Sequence, residues 1–133
     1  MLAFDAATDE TAYWTGVAPQ GITGTITVIA YCIMASATTG SVRLQAQIEA
    51  VTAADATDLD ATTSFDTANS AGATVAGTAG YLFTVSVTMT NADSIAAGDY
   101  FRLSVNRDAD GTSGTDDATG DLYILAVEFR DAA

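Results

Sequence analysis

The sequence predicts an all-β fold: an antiparallel β-sandwich, jelly-roll-like, with about seven or eight strands and two long acidic loops. Three observations predict it. Apolar residues recur at every second position in run after run, the period of a half-buried strand. Glycines and aspartates sit between the runs, where turns need them. Threonine, 21 of 133 residues, lines the polar faces of those runs, and β-branched side chains suit a pleated surface.

The runs follow in order. Residues 12–18 form a weak strand. Residues 22–36 form a longer one whose second half is apolar on both faces, which predicts a central strand covered on both sides. In 41–51, Val42, Leu44, Ala46, Ile48 and Ala50 alternate with Ser41, Arg43, Gln45, Gln47 and Glu49. Residues 73–79 are a second weak strand. In 81–90, Phe83, Val85 and Val87 face inward against Thr84, Ser86 and Thr88. In 100–106, Phe101, Leu103 and Val105 do so against Arg102, Ser104 and Asn106. The last run, 122–130, sets Tyr123, Leu125, Val127 and Phe129 on the inner face. The two long connections are 52–72 and 107–120, and a short helical turn is expected over 53–59. No repeat or composition break divides the chain, so 1–133 reads as one β-sandwich domain with 1–11 as an N-terminal arm.

Composition narrows the chemistry. Fourteen Asp and three Glu against four Arg, with no Lys and no His, give a net charge of -13. Without His or Lys there is no imidazole base, no Schiff-base amine and no P-loop lysine. One cysteine, Cys32, makes neither an internal disulfide nor a thiolate zinc site, and it reads as a buried thiol. The acidic balance argues against nucleic acid or an anionic membrane as partner. The first residues lack a basic region, and the longest apolar run is far shorter than the about 20 residues of a membrane helix. The expectation is a soluble protein made in the cytoplasm.

Aspartate is the plentiful functional group. Asp108, Asp110, Asp116, Asp117 and Asp121 crowd one Gly-rich loop, but Thr112 stands where an EF-hand loop needs an acid and no Glu closes the set. Asp55, Asp58, Asp60 and Asp66 crowd the other, with nothing to fix the separation a glycosidase needs. Both read as solvated turns and caps, with no catalytic residue, no cofactor and no metal. Each Arg is expected beside a carboxylate, mostly in exposed pairs. The interface candidates are Leu2, Phe4, Tyr13 and Trp14 near the N-terminus, as aromatic and apolar anchors, together with Arg107.

The order of segments resembles small structural proteins of tailed phages, especially those of aquatic bacteria. An acidic opening, Phe4-Asp5-Ala6-Ala7-Thr8-Asp9-Glu10-Thr11-Ala12, leads to a strand. The turn Thr38-Thr39-Gly40-Ser41-Val42-Arg43 follows. Later come Gly98-Asp99-Tyr100-Phe101-Arg102-Leu103-Ser104-Val105-Asn106-Arg107-Asp108-Ala109 and the close Gly120-Asp121-Leu122-Tyr123-Ile124-Leu125-Ala126-Val127-Glu128-Phe129. The resemblance covers most of the chain and implies a β-sandwich virion protein. It carries over no catalytic residue. The expected role is a capsid decoration (cement) protein on the outer surface of the head, bound to the major capsid protein and acting as a homo-oligomer, with a trimer favoured. The alternative is a head- or tail-fibre module that binds a host surface glycan.

Overall fold

The computed structural model describes residues 1–61 and 63–131. Eight strands form: β1 Leu2–Phe4, β2 Glu10–Val17, β3 Ile26–Met34, β4 Ser41–Val51, β5 Asn69–Thr74, β6 Phe83–Met89, β7 Tyr100–Arg107 and β8 Leu122–Asp131. They make two four-stranded sheets, β1-β8-β3-β6 and β2-β7-β4-β5, and all the pairings are antiparallel. The chain crosses between sheets at almost every connection, the winding of a jelly roll. Among the described residues there is no helix, so none could cross a membrane.

The core lies between the sheets. Ile26, Val28, Val85, Val87, Leu122 and Ile124 come from one, and Val42, Leu44, Ile48, Leu103 and Val105 from the other. Burying such side chains contributes about 1.5–3 kcal/mol each. Phe101 stacks on Phe129 across the interior at 4.5 Å between ring centroids. Gly16 makes the room: a Cβ there would stand 2.9 Å from the Phe101 ring. Cys32 is fully buried, and desolvation pushes its thiol up to about 12.

Five of the expected strands match closely, and the departures have local causes. Leu125, expected inward, is 46% exposed. A β-bulge in β8 interrupts the pairing with β3, where Tyr31 pairs with Ala126 but Cys32 with Ile124. The extra residue reverses the alternation, so Leu122 and Ile124 point inward before it, and Val127 and Phe129 pack on the core after it. Strand β5 lies upstream of the expected 73–79, because Asn69–Ala46 to Thr74–Ser41 is the stretch that pairs with β4. The helical turn over 53–59 does not form. Ala54 takes a φ of 78°, outside the helical region, next to a turn closed by Asp55 N donating to Thr52 O at 3.0 Å.

The N-terminal residues are not a free arm. Leu2, Ala3 and Phe4 pair with Ile124, Tyr123 and Leu122, and Phe4 is in the core. Strand β3 is central as expected, between β8 and β6, but it is covered on one side only. Among the described residues no further layer lies over Tyr31 and Ile33, which are half-buried.

Candidate interaction surface

No cavity opens in the described surface, so the candidate surfaces are convex faces and strand edges. The two sides of the sandwich differ. On one side β5 packs closely against β6, and Asn69 ties them: its Nδ2 donates to Thr90 Oγ1 at 2.7 Å and its Oδ1 accepts from Asn91 N at 3.0 Å. On the other side lie β1 and β2. Strand β1 has three residues, whereas β2 has eight, paired with β7 without a break from Glu10–Arg107 to Val17–Tyr100. In the sheet order β2 is terminal, so its other backbone row has no strand beside it.

Natural sheets protect such an edge with short length, charge, proline or a bulge. Strand β2 has none of these along Thr11–Val17. Its only charge is Glu10, at the first position, and Pro19 falls after its end. Tyr13 and Val17 are 63% and 67% exposed on the outer face. Trp14 points the other way and packs half-buried against the core. The edge belongs to a wider pattern: no residue from Thr11 to Val42, and none from Thr67 to Ala92, is charged. These two runs supply β2 after Glu10 and all of β3, β5 and β6. The acids lie mostly in the connections.

Those acids are builders as much as solvated charge. Asp93 Oδ2 accepts from Ala50 N at 2.8 Å, Asp116 Oδ2 from Arg43 N at 2.9 Å, Asp117 Oδ1 from Ser41 N at 2.7 Å and Asp131 Oδ2 from Thr23 N at 2.8 Å. Each satisfies a backbone donor at or near a strand end. Asp108 is fully buried. Its carboxylate accepts from Thr112 N at 3.2 Å and Ser113 N at 2.6 Å, and from both hydroxyls. Burial opposes its charge, but the bonds from Ser113 and Thr112 outweigh burial and hold its pKa at about 2.

The five interface candidates therefore separate. Leu2, 43% exposed, and Tyr13 are on the open side. Trp14 is half-buried behind them, and Phe4 is core. Arg107 is fully buried and acts within the chain: its Nε and NH2 donate to Asp116 at 3.0 and 2.8 Å, NH1 to Gly120 O and NH2 to Ala118 O, both at 2.8 Å. The expected exposure of the Arg pairs is overturned in part. Arg130–Glu128 is exposed, but Arg107–Asp116 is buried, and Arg102–Glu49 at 3.3 Å leaves only the Arg partly wet. Arg43 departs from the expectation of a carboxylate partner, since its NH2 donates to Ser70 Oγ at 2.9 Å.

The sequence does not mark Met1, Val17, Tyr81, Leu82 or Leu125 as surface residues, and these are the other large apolar residues that are exposed. Val17 was readable, since it shares the parity of Tyr13 on β2. Leu125 was not, because the bulge that exposes it leaves no mark in a continuous apolar run. One acidic cluster also crosses a loop boundary: carboxylate oxygens of Asp9, Asp108 and Asp110 lie within 4.8 Å of one another. Asp9 Oδ1 already accepts from Ala109 N at 2.8 Å, and Asp108 is engaged as described. Comparison of the chain with protein-family models, curated proteins and solved structures finds no match.

Proposed function

We propose that this chain is a structural protein of a phage virion: a capsid decoration protein that binds the outside of the head and stabilises contacts between major capsid subunits. The observation that carries the reading is the separation of charge from edge. A strongly acidic molecule presents one long, regular, uncharged strand edge, and such an edge binds by backbone hydrogen bonds and apolar contact. The net charge of -13 supports an outer location, because an inner one would set that charge against packaged DNA. The resemblance of the acidic opening and the Gly98–Ala109 segment to phage structural proteins supports a virion structural role, decoration and fibre alike. The reading assigns no catalytic residue, cofactor, metal, nucleic acid or membrane.

The experiment mixes purified protein with heads that lack it and measures co-sedimentation, followed by a density map of the saturated heads. Density on the outer surface at junctions between capsid subunits is the expected result. Absence from heads together with binding to host surface glycans would replace this reading by that of a fibre module.

A further inference from the structure

We propose that β2 is a self-association edge: a second copy of this chain adds its own β2 antiparallel to the first, joining the two β2-β7-β4-β5 sheets into one continuous sheet across a two-fold axis. This rests on the reading of β2 as an open binding edge and gives that edge to a second copy, so that contact with the head falls to surfaces the dimer leaves exposed. Among the described residues β2 is the long edge that nothing protects. Strand β1 is three residues, and β5 and β6 close against each other.

Charge sets the direction in which a second copy can lie. At the Glu10 end of β2 stand Asp5, Asp9 and Asp110, all exposed. At the Val17 end the connection 18–25 is uncharged. Two acids adjoin it. Asp99 is buried and accepts from Thr52 Oγ1 and Ala96 N, and Asp131 accepts from Thr23. A parallel neighbour would set acid against acid. An antiparallel copy sets each acidic end against the other copy's uncharged end. The two ends of β2 are roughly 25 Å apart at about 3.4 Å per residue, and the Debye length at physiological ionic strength is about 8 Å. A second β2, antiparallel, therefore brings an uncharged backbone row to this edge and keeps the acidic ends of the two copies apart.

The pleat agrees. A continuous sheet requires residues of like parity opposite one another. An axis at Tyr13, close to the middle of the strand, meets that requirement: Tyr13 stands opposite Tyr13 and Thr11 opposite Thr15. It keeps Thr11, Tyr13, Thr15 and Val17 on the outer face of both copies, and cross-strand aromatic and β-branched pairs stabilise a sheet. Glu10 then lies opposite Gly16 of the second copy, not its Glu10. Such an isologous contact closes at two copies, so this edge makes a dimer and not the threefold oligomer expected from the sequence.

The test is analytical ultracentrifugation of the full chain, without capsids, so that its failure is distinct from a failure to bind heads. Wild-type protein is expected to form a dimer. Tyr13→Lys and Tyr13→Glu, each alone, place like charges at the axis and are expected to weaken it about tenfold or more at low salt, whereas their mixture recovers it. Circular dichroism and thermal melting check that both variants fold. A second variant, Tyr13→Cys, is expected to give a disulfide-linked dimer under mild oxidation, because Cys32 is buried. Tyr81→Cys, equally exposed but at the far end of the β5–β6 connection, is expected not to. A monomer at about 100 μM, a trimer, or a dimer indifferent to charge at position 13 would overturn the proposal. So would a link through Tyr81→Cys but not through Tyr13→Cys.

Discussion

The two long loops are both acidic and have opposite constructions. The β7–β8 connection closes around a buried guanidinium: Arg107 makes two bonds to Asp116 and two to backbone carbonyls. The same loop is stitched to the start of β4, where Asp117 N and Ala118 N both donate to Ser41 O at 3.0 Å. Gly40 permits that approach, with φ at 92° and no room for a Cβ beside Ala118. The β4–β5 connection is laid over the outer face of its own sheet. Arg102 NH2 donates to Leu59 O at 2.7 Å, Ser64 N donates to Glu49, and Phe65 leans on Tyr13 at 6.0 Å between centroids. Most of 52–61 remains exposed. The difference lies in one cation. An Arg at the end of an inward-facing register gathers a loop into the fold, whereas one on an outward register only pins a loop to the surface.

Removing each cation should sharpen that contrast. Arg107→Ala leaves Asp116 buried without its partner and is expected to cost about 3–5 kcal/mol by chemical denaturation. Arg102→Ala, which uncovers Glu49 beside solvent, should cost less, roughly 1–3 kcal/mol. Equal losses would show that the loops are held alike.

Acid should also find the buried loop. Asp108 is held at about 2 against a reference of 3.8, so its contribution is complete above about pH 4 and is lost as pH falls through 2. A depression of that size is worth roughly 2 kcal/mol. Asp108→Asn should flatten the decline in stability between those pH values. An unchanged slope would assign acid lability elsewhere.

Smaller effects come last. Limited proteolysis with mass mapping should nick 52–61 first and leave 108–121 intact, since exposed backbone is what proteases take. First cuts within 108–121 would reverse the comparison. Chelator should leave the Tm unchanged, because the oxygens of Asp108 already serve Thr112 and Ser113. A fall on adding EDTA would make Asp9, Asp108 and Asp110 a cation site.

Much of this was legible in the sequence where period two is unbroken. Val42 to Ile48, Val85 to Val87 and Leu103 to Val105 point inward as their alternation requires. It failed where the information is not local. Three residues are too few to show a period, so β1 was invisible until its pairing with β8 appeared. A bulge reverses parity without changing composition, so Leu125 was misplaced. Arg107 reads as inward by the alternation of β7, yet an inward Arg next to an acidic loop looks like an interface anchor until its four hydrogen bonds are seen. Of the surface candidates, Tyr13 was readable as an aromatic on a weak strand. That its strand is an edge follows from sheet order alone.

If β2 joins the copies, an acidic molecule associates through an uncharged edge. Sedimentation equilibrium at NaCl from about 0.05 to 1 M tests it most directly, because the Debye length falls from roughly 14 Å to about 3 Å over that range. Salt screens the mutual repulsion of the two copies and leaves β2–β2 contacts intact. Association is therefore expected to strengthen as salt rises. Association that weakens steeply would contradict it, and would place charge, not the β2 edge, at the contact.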